Sequence, residues 1–326
     1  MQRASLRSTV LSIGGVDLRI RSDGEPLGSY EAPYLPFLDS AAGHQIGSST
    51  IDITVVDTPA SANGSPAVFD SGGAWMMQAE DEGYRLSFRR EGSHVFHTVA
   101  CSDASTSQVR VYVHQDGWVS ESSPTKVPGP VSYPLDQLLL MNHLAPLGGV
   151  IVHGAGAVIE GRALVFPGRS GAGKSTLARL LANAGLGDSL LSDDRVVLRT
   201  GPGPTGDVKD VSLVEGSRRE QVTAWGTPWP GDARVARNAA APLSAMLFLV
   251  KADTIQVRRL APSTAVRRLM PVVSCPWYDA DRLRGVLDSC ARIVERTPCY
   301  DLFFRPETAV VAALVGRSWT GEGEEA

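Results

Sequence analysis

The run Gly168-Arg169-Ser170-Gly171-Ala172-Gly173-Lys174-Ser175, followed by Thr176, has the GxxxxGK[ST] spacing of a loop that wraps a polyphosphate. Its glycines allow the positive φ values and the close approach by which main-chain N–H groups point at an anion. A helix opening near Lys174 would add its N-terminal dipole and unpaired N–H groups. Lys174 supplies a point charge for the β and γ phosphates, and the Ser175 hydroxyl can ligate Mg2+. Ser192-Asp193-Asp194 follow eighteen to twenty residues beyond Lys174, at the end of the apolar pair Leu190-Leu191. Adjacent carboxylates beside a phosphate loop can hold Mg2+ and orient a nucleophile. They repel unless a cation or proton intervenes, so one could be raised in pKa and suited to general-base work. His153, flanked by Gly154 and Gly156, lacks local crowding and can face a ligand. Each feature also has a plainer reading: a glycine turn with an incidental Lys-Ser, an Asp-Asp loop turn, and a structural histidine.

The elements around these residues are of the kind the motif needs. Apolar runs at 150–159 and 162–166 read as strands, the second leading directly into the loop. Positions 177, 178, 180, 181 and 184 are apolar at helical spacing, which predicts a helix over 174–185. Residues 188–199 return the chain to a sheet, and strand, helix, strand is the α/β signature. Upstream, 8–13, 16–21, 49–57, 84–90, 94–100 and 107–114 are β-branched or aromatic runs separated by turn signals such as Ser71-Gly72-Gly73. Several alternate polar and apolar, as antiparallel strands with one wet face do. His94 and His97 are odd-spaced on a strand and would face opposite sides, a poor metal pair. The segment 121–134 holds four prolines and reads as a linker. These features divide the chain into a β-rich N-terminal domain, 1–130, and an α/β domain, 131–326.

Composition sets the outer bounds. At 326 residues the chain is long enough for two domains. Its 43% hydrophobic and 20% charged residues exclude a disordered, collagen-like or coiled-coil chain. No stretch approaches the roughly 20 consecutive apolar residues of a membrane helix, and the N-terminus has no apolar signal core. A cytoplasmic location is therefore expected. A net charge of −4 gives no broad electrostatic reason to bind nucleic acid. Lysine is scarce, yet Lys174 stands in the most glycine-dense loop. The four cysteines lack zinc-ligand spacing and read as reduced, buried thiols.

With these features in place, residues 153–198 resemble the C-terminal domain of HPr kinase/phosphorylase. That family has a His-Gly segment, a hairpin, a phosphate loop, a helix ending near Gly, and Ala-Asp-Asp where this chain has Ser192-Asp193-Asp194. The run 224–249 looks like HPr-kinase-related proteins found beside peptide-modification genes, including lasso-peptide tailoring kinases. The resemblance implies an α/β, P-loop fold of the phosphoenolpyruvate-carboxykinase type behind a β-rich domain. It also implies an ATP- and Mg2+-dependent kinase acting on a serine or other hydroxyl of a peptide or protein. By the same resemblance, Gly168 to Thr176 bind the nucleotide, Asp193 is the base, Ser175 and Asp194 are on the metal side, and His153 contacts the transferred phosphoryl group. A homo-oligomer is compatible with it. The family's Pro-x-x-Pro-Gly-Arg segment is not readable here; Asn238 to Pro242 stand near its place, and no phosphorylase half-reaction is expected. Asp232 is the available stand-in for the family's second metal-binding glutamate, and reads equally as a solvated turn residue. A small-molecule hydroxyl kinase and a non-catalytic ATP-sensing module are the competing readings.

Several further residues have two readings each. Trp225 and Trp229 could stack an adenine, clamp a peptide or plug a seam. Arg234, Arg237, Arg258, Arg259, Arg267 and Arg268 could supply a transition-state arginine, although a solvated helix face is the ordinary explanation for Arg267 and Arg268. Helices are expected over 135–147, over 262–270 with Ser263 as cap, and over 279–295. A buried strand is expected at 299–304, with Pro306 opening a last helix.

Overall fold

The computed structural model describes residues 8–23, 27–38, 49–56, 64–81, 83–89, 96–114, 129–201 and 221–319. His94, most of the proline-rich segment and the acidic tail lie outside them. The chain is mixed α/β, with two large sheets and few helices. Contacts group it into two units, one made of most of the chain up to His143, the other chiefly of Leu144 onward. That division falls later than the 130/131 boundary suggested by composition.

The first unit is built on one eight-stranded sheet. Its strands are β1 (Ser8–Ile13), β2 (Val16–Ser22), β3 (Ser49–Val56), β4 (Ala67–Asp70), β5 (Trp75–Glu80), β6 (Gly83–Arg89), β7 (Phe96–Asp103) and β8 (Gln108–Val113). Their order is β1-β2-β3-β8-β7-β6-β5-β4. β2–β3 and β3–β8 are parallel, and β8 through β4 pair antiparallel. Alternation works as expected of a half-wet sheet: Val16, Leu18 and Ile20 are buried while Arg19 and Arg21 face out. Helix α1 (Leu135–Leu144) carries the buried Asp136, whose carboxylate accepts a 2.9 Å hydrogen bond from the Tyr34 hydroxyl.

The second unit places the phosphate-loop motif between a strand and a helix. Its strands are β9 (Gly149–Ile159), β10 (Arg162–Pro167), β11 (Leu190–Ser192), β12 (Arg195–Thr200), β13 (Val222–Trp225), β14 (Ala240–Lys251), β15 (Gln256–Arg259) and β16 (Cys299–Phe304). Its helices are α2 (Lys174–Leu181), α3 (Pro262–Leu269), α4 (Ala280–Arg296) and α5 (Ala309–Leu314). β9 changes partner along its length: Gly149 to His153 pair with β12, and Gly154 to Ile159 pair with β10. β14 divides in the same way, first pairing antiparallel with β13 and then parallel with β10 and β16. One face of this sheet buries Ala155, Leu164, Phe166, Leu247 and Leu302 against α2 and α5. The other packs Val152, Val165 and Phe248 against α3 and α4.

Four local expectations are corrected. α2 is shorter than 174–185: it gives way after Leu181 to a wider turn in which Gly185 takes φ 82°. α3 is not capped by Ser263, because Pro262 occupies the first turn and Ala261 is the cap position, without a side-chain bond. The last helix, α5, begins at Ala309 with Thr308 as its cap position and is not opened by Pro306. Asp279 does cap α4, accepting hydrogen bonds from the Asp281 and Arg282 amides. All four cysteines are free; Cys290 and Cys299 are buried, which pushes their thiols up to about 12, whereas Cys101 and Cys275 are only half-buried, against the expectation of four core thiols. Among the described residues, no helix is long and apolar enough to cross a membrane.

Phe166, in β10 just before the loop, is 1% exposed in the core beside α2. Phe166→Ala is expected to destabilise the second unit by about 3–5 kcal/mol through lost burial and a residual cavity, seen as a lower midpoint in thermal unfolding.

Candidate active site

The site is assembled where β9 changes partner. At that point the His153 carbonyl accepts the Gly168 N–H at 3.0 Å, which fixes the start of the loop. The next residue, Gly154, donates its N–H to the Asp194 carbonyl at 2.9 Å, which fixes the acidic pair. Glycine is needed here because a Cβ on residue 154 would lie 3.0 Å from the Phe166 carbonyl oxygen and 3.2 Å from the Pro167 Cα. Two consecutive residues of one strand therefore hold the loop and the carboxylates side by side.

Within the loop, Gly171 and Gly173 take φ 78° and 106°, values open to glycine and strained for other residues. Gly173 also abuts the Phe304 ring, 3.0 Å from a would-be Cβ. Lys174 begins α2 and is buried, its ammonium donating to the carbonyls of Gly168 at 2.8 Å and Arg169 at 3.2 Å. Burial is the largest influence on this ammonium and lowers it from the ordinary lysine value. Asp194 opposes that shift, Arg195 adds to it, and Asp193 and Asp232 oppose it. Ser175 is half-buried at the first turn of α2, where a hydroxyl could meet a phosphate-bound cation.

The adjacent aspartates have separate tasks, since consecutive side chains at a strand end point in different directions. Asp193 is 1% exposed. Its carboxylate accepts three main-chain N–H bonds, from Gly231 at 2.9 Å, Ala233 at 2.7 Å and Val235 at 3.1 Å. A Cβ on Gly231 would meet Asp193 Oδ2 at 2.9 Å and Asp194 Cβ at 3.1 Å, so glycine lets the segment 231–235 close on this carboxylate without displacing it. Asp194 is more open. His153 Nε2 lies 2.9 Å from its Oδ1, and Arg195 Nη1 lies 3.0 Å from its Oδ2. Burial works against the charged form of Asp194. The His153 hydrogen bond, then the Arg195 and Lys174 charges, outweigh burial and hold this carboxyl below the usual carboxylate range. The expectation of a raised pKa does not apply to Asp194, because the neighbouring carboxylate is turned away and cations stand in its place.

His153, Lys174 and Asp194 thus come together, whereas Asp193 is spent on a neighbouring loop. Asp232 is exposed on that loop, within electrostatic range of Lys174. Among the described residues, no group of three or more His, Cys, Asp or Glu could hold a metal by itself. The arginines singled out from sequence are mostly engaged elsewhere. Arg237 binds the Asp188 carbonyl and carboxylate, each at 2.6 Å. Arg258 and Arg268 clamp Asp301, and Arg259 donates to the Tyr300 hydroxyl at 3.0 Å. Arg195 is the residue that sequence reasoning missed. It stands directly across from His153 in the β9–β12 register, and its only sequence signal is its place next to the acidic pair.

Comparison of the chain with models of known protein families finds no match, and comparison with curated proteins finds none either.

Asp193→Ala is expected to leave three buried amides without an acceptor and to destabilise the fold by more than about 3 kcal/mol. Asp194→Asn, at the more open carboxylate, is expected to cost clearly less. Thermal unfolding of the two variants side by side checks this order.

Proposed function

We propose that the chain is an ATP-dependent, Mg2+-requiring kinase that transfers the γ-phosphoryl group to a serine or other hydroxyl of a peptide or protein. In this reading the second unit is a P-loop domain of the HPr-kinase and phosphoenolpyruvate-carboxykinase type, working in the cytoplasm. The observation that carries the proposal is the approach of Asp194, paired to His153, to a glycine loop that begins a helix with Lys174.

Phosphoryl transfer needs positioning, cations along the phosphate oxygens, and a group that receives the acceptor's proton. Lys174, released from the Gly168 and Arg169 carbonyls, would bind the β and γ phosphates together with the loop amides. The acceptor oxygen would then bond to the γ-phosphorus while the bond from that phosphorus to the bridging oxygen breaks, and ADP leaves. The acceptor proton would pass to Asp194, which His153 holds in place. We assign the base to Asp194 rather than Asp193, because three amides already occupy the Asp193 carboxylate.

The donor set fits a magnesium ion carried by the nucleotide, since Mg2+ takes few protein ligands, all oxygen. Ser175, in the first turn of α2, would hold it. His153 Nε2 and Arg195 Nη1 already take the two Asp194 oxygens, which leaves the ion to Ser175 and the nucleotide. When bound, Mg2+ neutralises charge on the phosphate oxygens. The first unit would recognise the acceptor. In support, one face of its sheet has a cleft of about 780 Å3, lined by Arg21, Thr54, Cys101 and Arg110 among others.

Incubation with γ-labelled ATP and candidate peptide acceptors, read by mass spectrometry of the acceptors, tests the proposal. Asp194→Asn is expected to keep nucleotide binding and lose about 10²–10⁴-fold in transfer, and Lys174→Ala is expected to lose nucleotide binding. Full transfer by Asp194→Asn would remove the base assignment. Nucleotide binding with no transfer to any acceptor would favour the sensing module.

A further inference from the structure

Arg195 is half-buried, yet two of its buried donors have no hydrogen-bond partner. A guanidinium carries five N–H donors, and buried donors are normally satisfied. Here Nε and Nη1 are both buried, and neither makes a hydrogen bond. Nη1 is 3.0 Å from Asp194 Oδ2, close enough for ion pairing but outside hydrogen-bond geometry. The backbone around this side chain is fixed. The Arg195 carbonyl accepts the Thr227 hydroxyl at 2.7 Å, its amide approaches the Ser192 hydroxyl at 3.3 Å, and its position on β12 is opposite His153 on β9. The guanidinium is therefore held beside Asp194 and in the field of Lys174, with donors still unused.

Two cations, one with orphaned buried donors, next to a glycine loop and a helix N-terminus call for an anion that accepts several hydrogen bonds. Of the other arginines raised from sequence, Arg237, Arg258, Arg259 and Arg268 have partners of their own, and Arg267 donates to the Thr264 hydroxyl. Resting on the kinase reading above, we propose that Arg195 binds the γ-phosphate of the nucleotide and stabilises its charge during transfer. The planar fork of arginine suits a phosphoryl group better than the point charge of lysine does. Its place next to Asp194 would also set the transferring group beside the residue that takes the acceptor's proton.

The test is the preference for MgATP over MgADP, measured by calorimetry on the full chain. Arg195→Gln is expected to weaken MgATP binding by about tenfold or more, the loss of a charge-assisted contact, and to leave MgADP binding within about twofold. With an acceptor in hand, its turnover is expected to fall by about 10³-fold. A residue that merely props up Asp194 would not alter the ATP-to-ADP ratio, so an unchanged ratio, or equal weakening of both nucleotides, overturns the proposal. If the Gln variant does not fold, Arg195→Lys serves in its place. It is expected to fold and to lose part of the ATP preference, and full preference in that variant overturns the proposal as well. Failure of the wild-type chain to bind either nucleotide would be a different result, removing the kinase reading together with this one.

Discussion

The partner change of β9 between His153 and Gly154 is the constraint on which the site depends. One peptide unit on either side of it fixes the loop through Gly168 and the acidic pair through Asp194. Neither element could hold its position alone, since a glycine loop is soft and Ser192 ends a three-residue strand. Each is therefore anchored to a strand buried on both faces, where Val152 lies in one core and Ala155 in the other. Placing these groups on a rigid strand rather than a free loop would keep them within the small tolerances that the proposed phosphoryl transfer needs.

Electrostatics at the site follow from this placement. Two adjacent carboxylates would repel if they shared one space. They avoid this by facing apart: the Asp193 charge is absorbed by three amides, and the Asp194 charge by His153 and Arg195. The Lys174 ammonium donates to the loop's own carbonyls.

Local sequence made some of this readable and left other parts hidden. The runs Ser8–Ile13 and Cys299–Phe304 are strands with the expected bounds, because their β-branched and aromatic residues agree with their burial. Ala67–Asp70 and Trp75–Glu80 are also strands, yet Met76, Met77, Gln78, Ala79 and Glu80 carry no β preference of their own. Pairing with β6 decides their conformation. The loop after β10 and the helix that opens at Lys174 could be read because the glycine spacing and the apolar periodicity are both local. The division of labour between Asp193 and Asp194 could not, since it depends on Gly231, Ala233 and Val235 arriving from about forty residues downstream. Arg195 was hidden for the same reason: its meaning comes from His153 across the sheet.

The most direct measurement of the central claim is a crystal structure of the chain with Mg2+ and a non-hydrolysable ATP analogue. The account predicts a triphosphate in the 168–175 loop, Lys174 moved off the Gly168 carbonyl and onto the β and γ phosphates, and the γ-phosphate facing Asp194. A nucleotide bound elsewhere on the chain, or a loop still closed on its own carbonyls with Asp194 turned from the phosphates, would contradict it.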